Sequence, residues 1–293
     1  MIRRCLLATI AIMSLCAATA PRSAAQADRG PGPVERIVSL APHLTELTFA
    51  AGAGDRILGT VEYSDHPEAA RKIPRIGDAF RVDLEQLIAI APDVVLAWDT
   101  GTSIQTIERI RALGLHVELF STQRLEDVAV ALRRLGRMAG TSAIAEPRAE
   151  QFERDIARLR RAYRDRSLVS VFLQINDRPL YTVNANHIIS EIAALCGARN
   201  VFANLDNLAP AIGIEAVIAA NPQIIIALGE STTDAREQWK KWRHIEAVSS
   251  GNVFTLRADD LARPTTRLSR GALAVCRALE TGRQRLKAIG DRG

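Results

Sequence analysis

The sequence is poor in the features that mark several large protein classes. Aromatic residues make up only 4% of its 293 positions. Beyond residue 27 no stretch reaches the roughly eighteen consecutive apolar residues of a membrane-spanning helix, so none is expected. There is no Gly-x-Ser-x-Gly elbow, no Gly-x-x-x-x-Gly-Lys loop and no His-Glu-x-x-His pair, so the commonest hydrolase, nucleotide and zinc-protease signatures are missing. Gly52-Ala53-Gly54 has too few glycines in register for a dinucleotide fingerprint. The five histidines, at 43, 66, 116, 187 and 244, are scattered without metal-ligand spacing, and neither a resident metal nor a cofactor is expected. His43 and His66 are expected in loops at strand ends, where they could meet. Asp259-Asp260 reads as a solvated turn rather than a working carboxylate pair.

Charge excludes a further class. The formal net charge is +5, but Arg3, Arg4 and Arg22 lie in a segment expected to be removed. What remains is near balance, with acidic residues interleaved among the basic ones. No nucleic-acid partner is expected.

The first twenty residues place two arginines before a short apolar core, the pattern of a secretory signal. Ala25-Gln26-Ala27 is the best cleavage site, giving a leader over 1–27 and export to the periplasm. Cys5 and Cys16 leave with it. Cys196 and Cys276 remain, an even pair in an oxidising compartment, able to bond or to stay as two buried thiols.

What the sequence does contain is a stretch that occurs twice. Residues 83–98 (DLEQLIAIAPDVVLAW) and 213–228 (GIEAVIAANPQIIIAL) align without a gap. Glu85 falls on Glu215, Ile88 on Ile218 and Pro92 on Pro222, with aliphatic exchanged for aliphatic along both tails. Each copy reads as a helix, a proline that stops it, and an aliphatic run typical of a parallel strand buried on both faces. The offset is too long for a solenoid, so two similar α/β lobes are expected.

Around that pair, strands are expected over 36–40, 57–61, 116–120, 169–175, 179–183 and 252–256. Helices are expected up to Gly52 with Thr45 as N-cap, over 103–113, 125–138 and 187–196, around Trp239, and from about Thr265. Residues 143–166 place apolar side chains at 152, 156, 159 and 163 on a charged helix, which suits a strut between lobes. The expected domains are an N-terminal α/β lobe over 34–141, a linking helix over 142–166 and a C-terminal α/β lobe over 167–289. Tyr63, Phe80 and Trp98 fall near strand ends of the first lobe, where aromatic walls of a ligand cleft would stand.

Together the leader, SLAPHLTELTFAAG at 39–52, YSDHP at 63–67, VDLEQLIAIAPDVVLAW at 82–98 and LCGARNVF at 195–202 resemble the helical-backbone (class III) periplasmic solute-binding proteins of ABC importers. The likeness is greatest to the cobalamin-carrying members. It implies a non-enzymatic, monomeric carrier with two Rossmann-like lobes joined by a rigid long helix and a ligand cleft between them. It implies that Pro42, Tyr63, Trp98, Asp259 and Arg263 line the cleft, with Phe80 added from its own place near a strand end. Glu85 and Glu215 are implied to dock onto a membrane permease, and Cys196 to bond Cys276. Two tryptophans of those members are replaced here, by Ala79 and Ala209. The expected ligand is cobalamin or a related corrinoid, delivered to an ABC importer, with haem or a ferric siderophore as the alternative. A secreted two-lobe enzyme, such as a transferase, is the alternative from another class.

Overall fold

The structure, a computed structural model, describes residues 32–78, 80–229 and 234–291. The expected leader and Ala79 lie outside the described residues.

Two four-stranded parallel sheets carry the fold. The first half runs β1 (Ile37–Ser39), α1 (Pro42–Ala50), β2 (Ile57–Thr60), α2 (Leu84–Ile90), β3 (Val94–Trp98), α3 (Ile104–Ala112), β4 (Val117–Phe120) and α4 (Leu125–Met138), and α5 (Ser142–Tyr163) follows. The second half runs β5 (Val169–Gln174), a small hairpin of β6 (Asn176–Asp177) and β7 (Leu180–Tyr181), α6 (Ile188–Leu195), β8 (Ala198–Asn200) and α7 (Ile214–Ala220). It ends with β9 (Ile224–Gly229), α8 (Ala235–Trp239), α9 (Glu246–Ser249), β10 (Val253–Arg257) and α10 (Leu268–Gly290).

The sheets are ordered β2-β1-β3-β4 and, read in the matching direction, β8-β5-β9-β10. That is one topology used twice. The repeated stretch supplies α2 and β3 in one lobe, and α7 and β9 in the other. Val94 pairs with Ile37 of β1, and Ile224 pairs with Val171 of β5. Val94 to Ala97 and Ile224 to Ala227 are all buried, as strands covered on both faces must be.

Both repeated helices have seven residues and end on a left-handed residue just before the proline, Ala91 (φ 46°) and Asn221 (φ 39°). Proline disfavours a right-handed helical conformation in the residue before it, so the chain leaves each helix there. The caps differ. Asp83 accepts hydrogen bonds from Glu85 N and Gln86 N, both at 3.0 Å, whereas Gly213 offers α7 no side chain.

Between the lobes in sequence, α5 buries Ala145, Ala149, Phe152, Ile156 and Leu159 and packs against α4 and α10. Arg133 of α4 bridges Glu146 at 2.8 Å and Glu153 at 2.5 Å on its outer side. Cys196, at the end of α6, is bonded to Cys276 of α10 across a sequence separation of 80. In the chain-entropy model a loop of that size is stabilised by roughly 4–5 kcal/mol.

Several expectations are corrected. Thr45 is not an N-cap. The helix already starts at Pro42, whose ring presets the first helical φ, and Thr45 is buried within it. His43 therefore sits in the first turn of α1 rather than in a loop, while His66 is exposed. The strand expected over 179–183 is reduced to Leu180–Tyr181, and α10 starts at Leu268. Sequence reading missed β8, α9 and β6, all four residues or shorter. Asp260 is not a solvated turn residue, because it is buried and held by the Arg270 fork.

Candidate functional site

In parallel sheets, ligands gather at the carboxyl ends of the strands, where the loops are free to vary. Here those ends from both lobes meet. Arg263, beyond β10, donates from Nη1 to Asp65 Oδ1 beyond β2 at 2.6 Å. Deeper, Arg267 forks onto Glu46 of α1, with Nε to Oε1 at 2.9 Å and Nη2 to Oε2 at 2.6 Å. The Glu46 side chain is only 4% exposed, so this bidentate pair joins the lobes away from solvent.

The loop after β2 is held from beneath. A buried hydroxyl cluster joins Thr45 to Ser39 at 2.9 Å, Thr45 to Thr60 at 2.7 Å, and Thr60 to Ser64 at 2.8 Å. Arg75 donates to the carbonyls of Ser64, Ala70 and Ile73 at 2.8, 3.1 and 2.7 Å. On this base Tyr63 takes a left-handed φ of 64° and stands 76% exposed. Phe80 is 88% exposed at the tip of a turn. Asp78 ties that turn, accepting from Phe80 N at 2.7 Å and Arg81 N at 2.8 Å. Those bonds hold the Asp78 carboxyl below its usual range. A Cβ on Gly77 would lie 2.0 Å from Arg81 O, so no larger residue fits there.

Trp98 closes β3. Its ring lies against Gly101, where a Cβ would come within 1.9 Å of the indole. It meets His43 edge-on, with centroids 5.0 Å apart. The Trp98 Nε1 donor is buried without a hydrogen-bond partner. His43 Nε2 lies 3.2 Å from Thr122 Oγ1. Burial, with the Arg263 charge nearby, lowers the His43 imidazole to about 3, so it is neutral here. Burial lowers His187 to about 4, and its Nδ1 accepts from Ile189 N at 3.2 Å to cap α6.

Of the residues expected at a cleft, Pro42 opens α1 beside His43, Trp98 packs on His43, and Arg263 faces Asp65. Asp259 is exposed and lies 3.9 Å from Arg257. Two cavities, of about 610 and 210 Å³, have none of these residues in their walls. Among the described residues no group of three or more His, Cys, Asp or Glu could hold a metal ion. Asp65, Glu46, Arg267 and the hydroxyl cluster were missed by sequence reasoning. The only signal was that Asp65 stands in YSDHP and Glu46 in SLAPHLTELTFAAG.

Glu85 and Glu215 are both exposed, each the second residue of its helix. Neither has an ion-pair partner among the described residues. No helix of the described residues is long and apolar enough to cross a membrane.

Residues 37–259 match the family described as "Periplasmic binding protein". The vitamin B12-binding protein of Vibrio campbellii is 31% identical over 255 residues, spanning 87% of this chain and 92% of the relative. The crystal structure of the periplasmic vitamin B12 binding protein of Vibrio cholerae superposes with a TM-score of 0.81 at 31% identity, covering 86% of this chain and 98% of that one. A periplasmic heme-binding protein from Roseiflexus sp. RS-1 superposes at 0.74 with 22% identity, covering 85% and 98%, a likeness of fold.

Proposed function

The chain belongs to the periplasmic binding protein family, and from that premise we propose that it captures cobalamin, or a closely related corrinoid, and delivers it to an ABC importer. The observation that carries this is the likeness to vitamin B12-binding proteins over nearly their whole length. The cleft chemistry supports it. Tyr63 and Phe80 offer uncovered aromatic faces to a flat corrin ring, and Trp98 and Pro42 are half-buried at the ends of β3 and β1. Asp259 and Arg263 are the polar anchors from the second lobe. The protein binds its ligand without changing it.

The remaining parts fit the same reading. Residues 1–27 would direct export to the periplasm. The lobes are taken as 34–141 and 167–289, with 142–166 as the helix between them, and the carrier acts as a monomer. Glu85 and Glu215 meet cationic side chains on the two halves of the permease, since equivalent points on similar lobes suit a two-fold symmetric partner.

A second reading keeps the architecture and changes the cargo to haem or a ferric siderophore. Ala79 and Ala209 favour it, because they stand where cobalamin carriers are expected to have tryptophan. Calorimetric titration of the exported protein with cobalamin, haem and a ferric siderophore decides between them. Saturable one-to-one binding of cobalamin is expected. Binding of haem or siderophore alone would overturn the first reading, and binding of none would overturn both.

A further inference from the structure

Arg263 and Asp65 stand 198 residues apart in sequence and meet across the cleft. The arginine side chain is 18% exposed and the aspartate 45%, so the pair sits at the rim of the cleft rather than in the core. Asp65 is the one carboxylate within ion-pair distance of Arg263 among the described residues. The other neighbour that feels the arginine charge, His43, is neutral. Burial pushes the Asp65 carboxyl up, but the hydrogen bond and charge of Arg263, with smaller help from a backbone hydrogen bond and the Arg71 charge, hold it below its usual range. The carboxylate is therefore ionised at neutral pH when the cleft is empty.

The two partners differ in freedom. Asp65 follows Ser64, whose carbonyl is held by Arg75 and whose hydroxyl belongs to the buried cluster. Its short side chain has little reach. Arg263 carries a long stem that can re-aim its guanidinium. An incoming anion placed beside Tyr63 thus meets an arginine that is already occupied.

We infer that Asp65 is a specificity-determining residue of the cleft. It occupies Arg263 in the empty protein, and a ligand gains that arginine only by presenting an anionic group that displaces the carboxylate. A neutral ligand has nothing to exchange and leaves the pair closed. An anionic ligand that cannot reach Arg263 meets the Asp65 charge as repulsion. The pair therefore selects for an anion at one place on the ligand, such as a phosphodiester or a carboxylate. This rests on the cleft reading given above.

The test compares cobalamin, which carries a phosphodiester, with cobinamide, the same corrin without the nucleotide loop that bears it, on the wild type, Asp65→Asn and Arg263→Gln. Freeing the arginine from its internal competitor should tighten cobalamin about tenfold in Asp65→Asn and leave cobinamide within about twofold. Arg263→Gln should remove the advantage of cobalamin over cobinamide. Adding Asp65→Asn to it should leave cobinamide within about twofold and relieve only the repulsion of cobalamin, by clearly less than the roughly tenfold gain seen with Arg263 present. Equal tightening of both ligands by Asp65→Asn would overturn the inference, because it would mean easier opening rather than anion exchange. No tightening of cobalamin would overturn it as well. If the wild type binds neither corrinoid, the functional reading fails, and haem with its two propionates becomes the anionic probe. Tighter haem binding in Asp65→Asn then sustains the inference and unchanged binding overturns it. Carbon NMR of ligand-free protein checks the pairing itself. The Asp65 carboxyl should titrate below the ordinary aspartate range in the wild type and rise toward it in Arg263→Gln, with Arg71 still nearby.

Discussion

The two lobes share one strand order and differ in their exposed aromatic residues, although Phe120 is buried in the first lobe as well. In the first lobe Tyr63 and Phe80 project from loops at the strand ends, and the layers against the sheet are filled mainly by Val, Leu, Ile and Ala. In the second lobe aromatics fill the core. Phe172 and Trp239 are fully buried, their rings meet edge-on at 5.7 Å, and Phe202 and Trp242 pack against them. Trp239 Nε1 donates to Gln174 Oε1 at 2.8 Å, so its polar edge is satisfied, while that of Trp98 is not. A βα frame needs aliphatic strands and a closed core, and either lobe's solution meets that need. What faces the cleft is left to the loops, which is how one topology can serve as a wall in one lobe and a packed support in the other.

The comparison breaks first at the importer. Reversing both charges, Glu85→Arg with Glu215→Arg, should abolish uptake in cells carrying the cognate permease, while ligand affinity of the purified protein stays near wild type. Either single change should act partially, since the other lobe still anchors. Normal uptake by the double variant would reduce both glutamates to helix-start residues favoured by the dipole.

The disulfide belongs to one lobe only. Replacing Cys196 and Cys276 with alanine should cost the second lobe roughly 4–5 kcal/mol in urea unfolding and leave the first lobe's own transition unmoved. A single transition that shifts as a whole would show that the buried Arg267–Glu46 pair and the helices around α5 make one cooperative unit.

Each lobe also holds one neutral histidine, His43 buried and His187 half-buried. Both have folded-state values below the ordinary 6.5, about 3 and about 4. The unfolded chain therefore binds more protons as pH falls below about 6.5, and stability is lost from there down to the folded values. Each should contribute a slope of roughly 1.4 kcal/mol per pH unit within that window. His187→Asn keeps an α6 cap and should about halve the loss between pH 6.5 and 4. An unchanged slope would show that His187 is solvated.

The smallest effect tests the exposed aromatics. Tyr63→Ala should weaken ligand binding by roughly 1–3 kcal/mol, the range for an aromatic anchor, with fold stability barely changed. Trp239→Ala should do the reverse, costing roughly 3–5 kcal/mol of stability. Unchanged affinity in both Tyr63→Ala and Phe80→Ala would remove the first lobe's rim from the binding surface.

Pieces of the fold whose causes are local can be read directly from the chain. A helical period, a proline and an aliphatic run specify α2–β3 and α7–β9 within sixteen residues each, because backbone restriction and side-chain periodicity act over a few positions. Asp83 and Ser103 cap their helices from the position just before them for the same reason. Tertiary structure alone decided what depends on distant partners. Strand β8 has three residues and exists because β5 pairs with it. Thr45 turned out to be a buried hub, because Ser39, Thr60 and Ser64 converge on it. Asp65 and Glu46 are two among 33 acidic residues, and the short segments they stand in say nothing of their partners. Their arginines lie 198 and 221 residues away. A charge finds such a partner only when the whole chain has closed, since no short-range preference of either residue encodes the other.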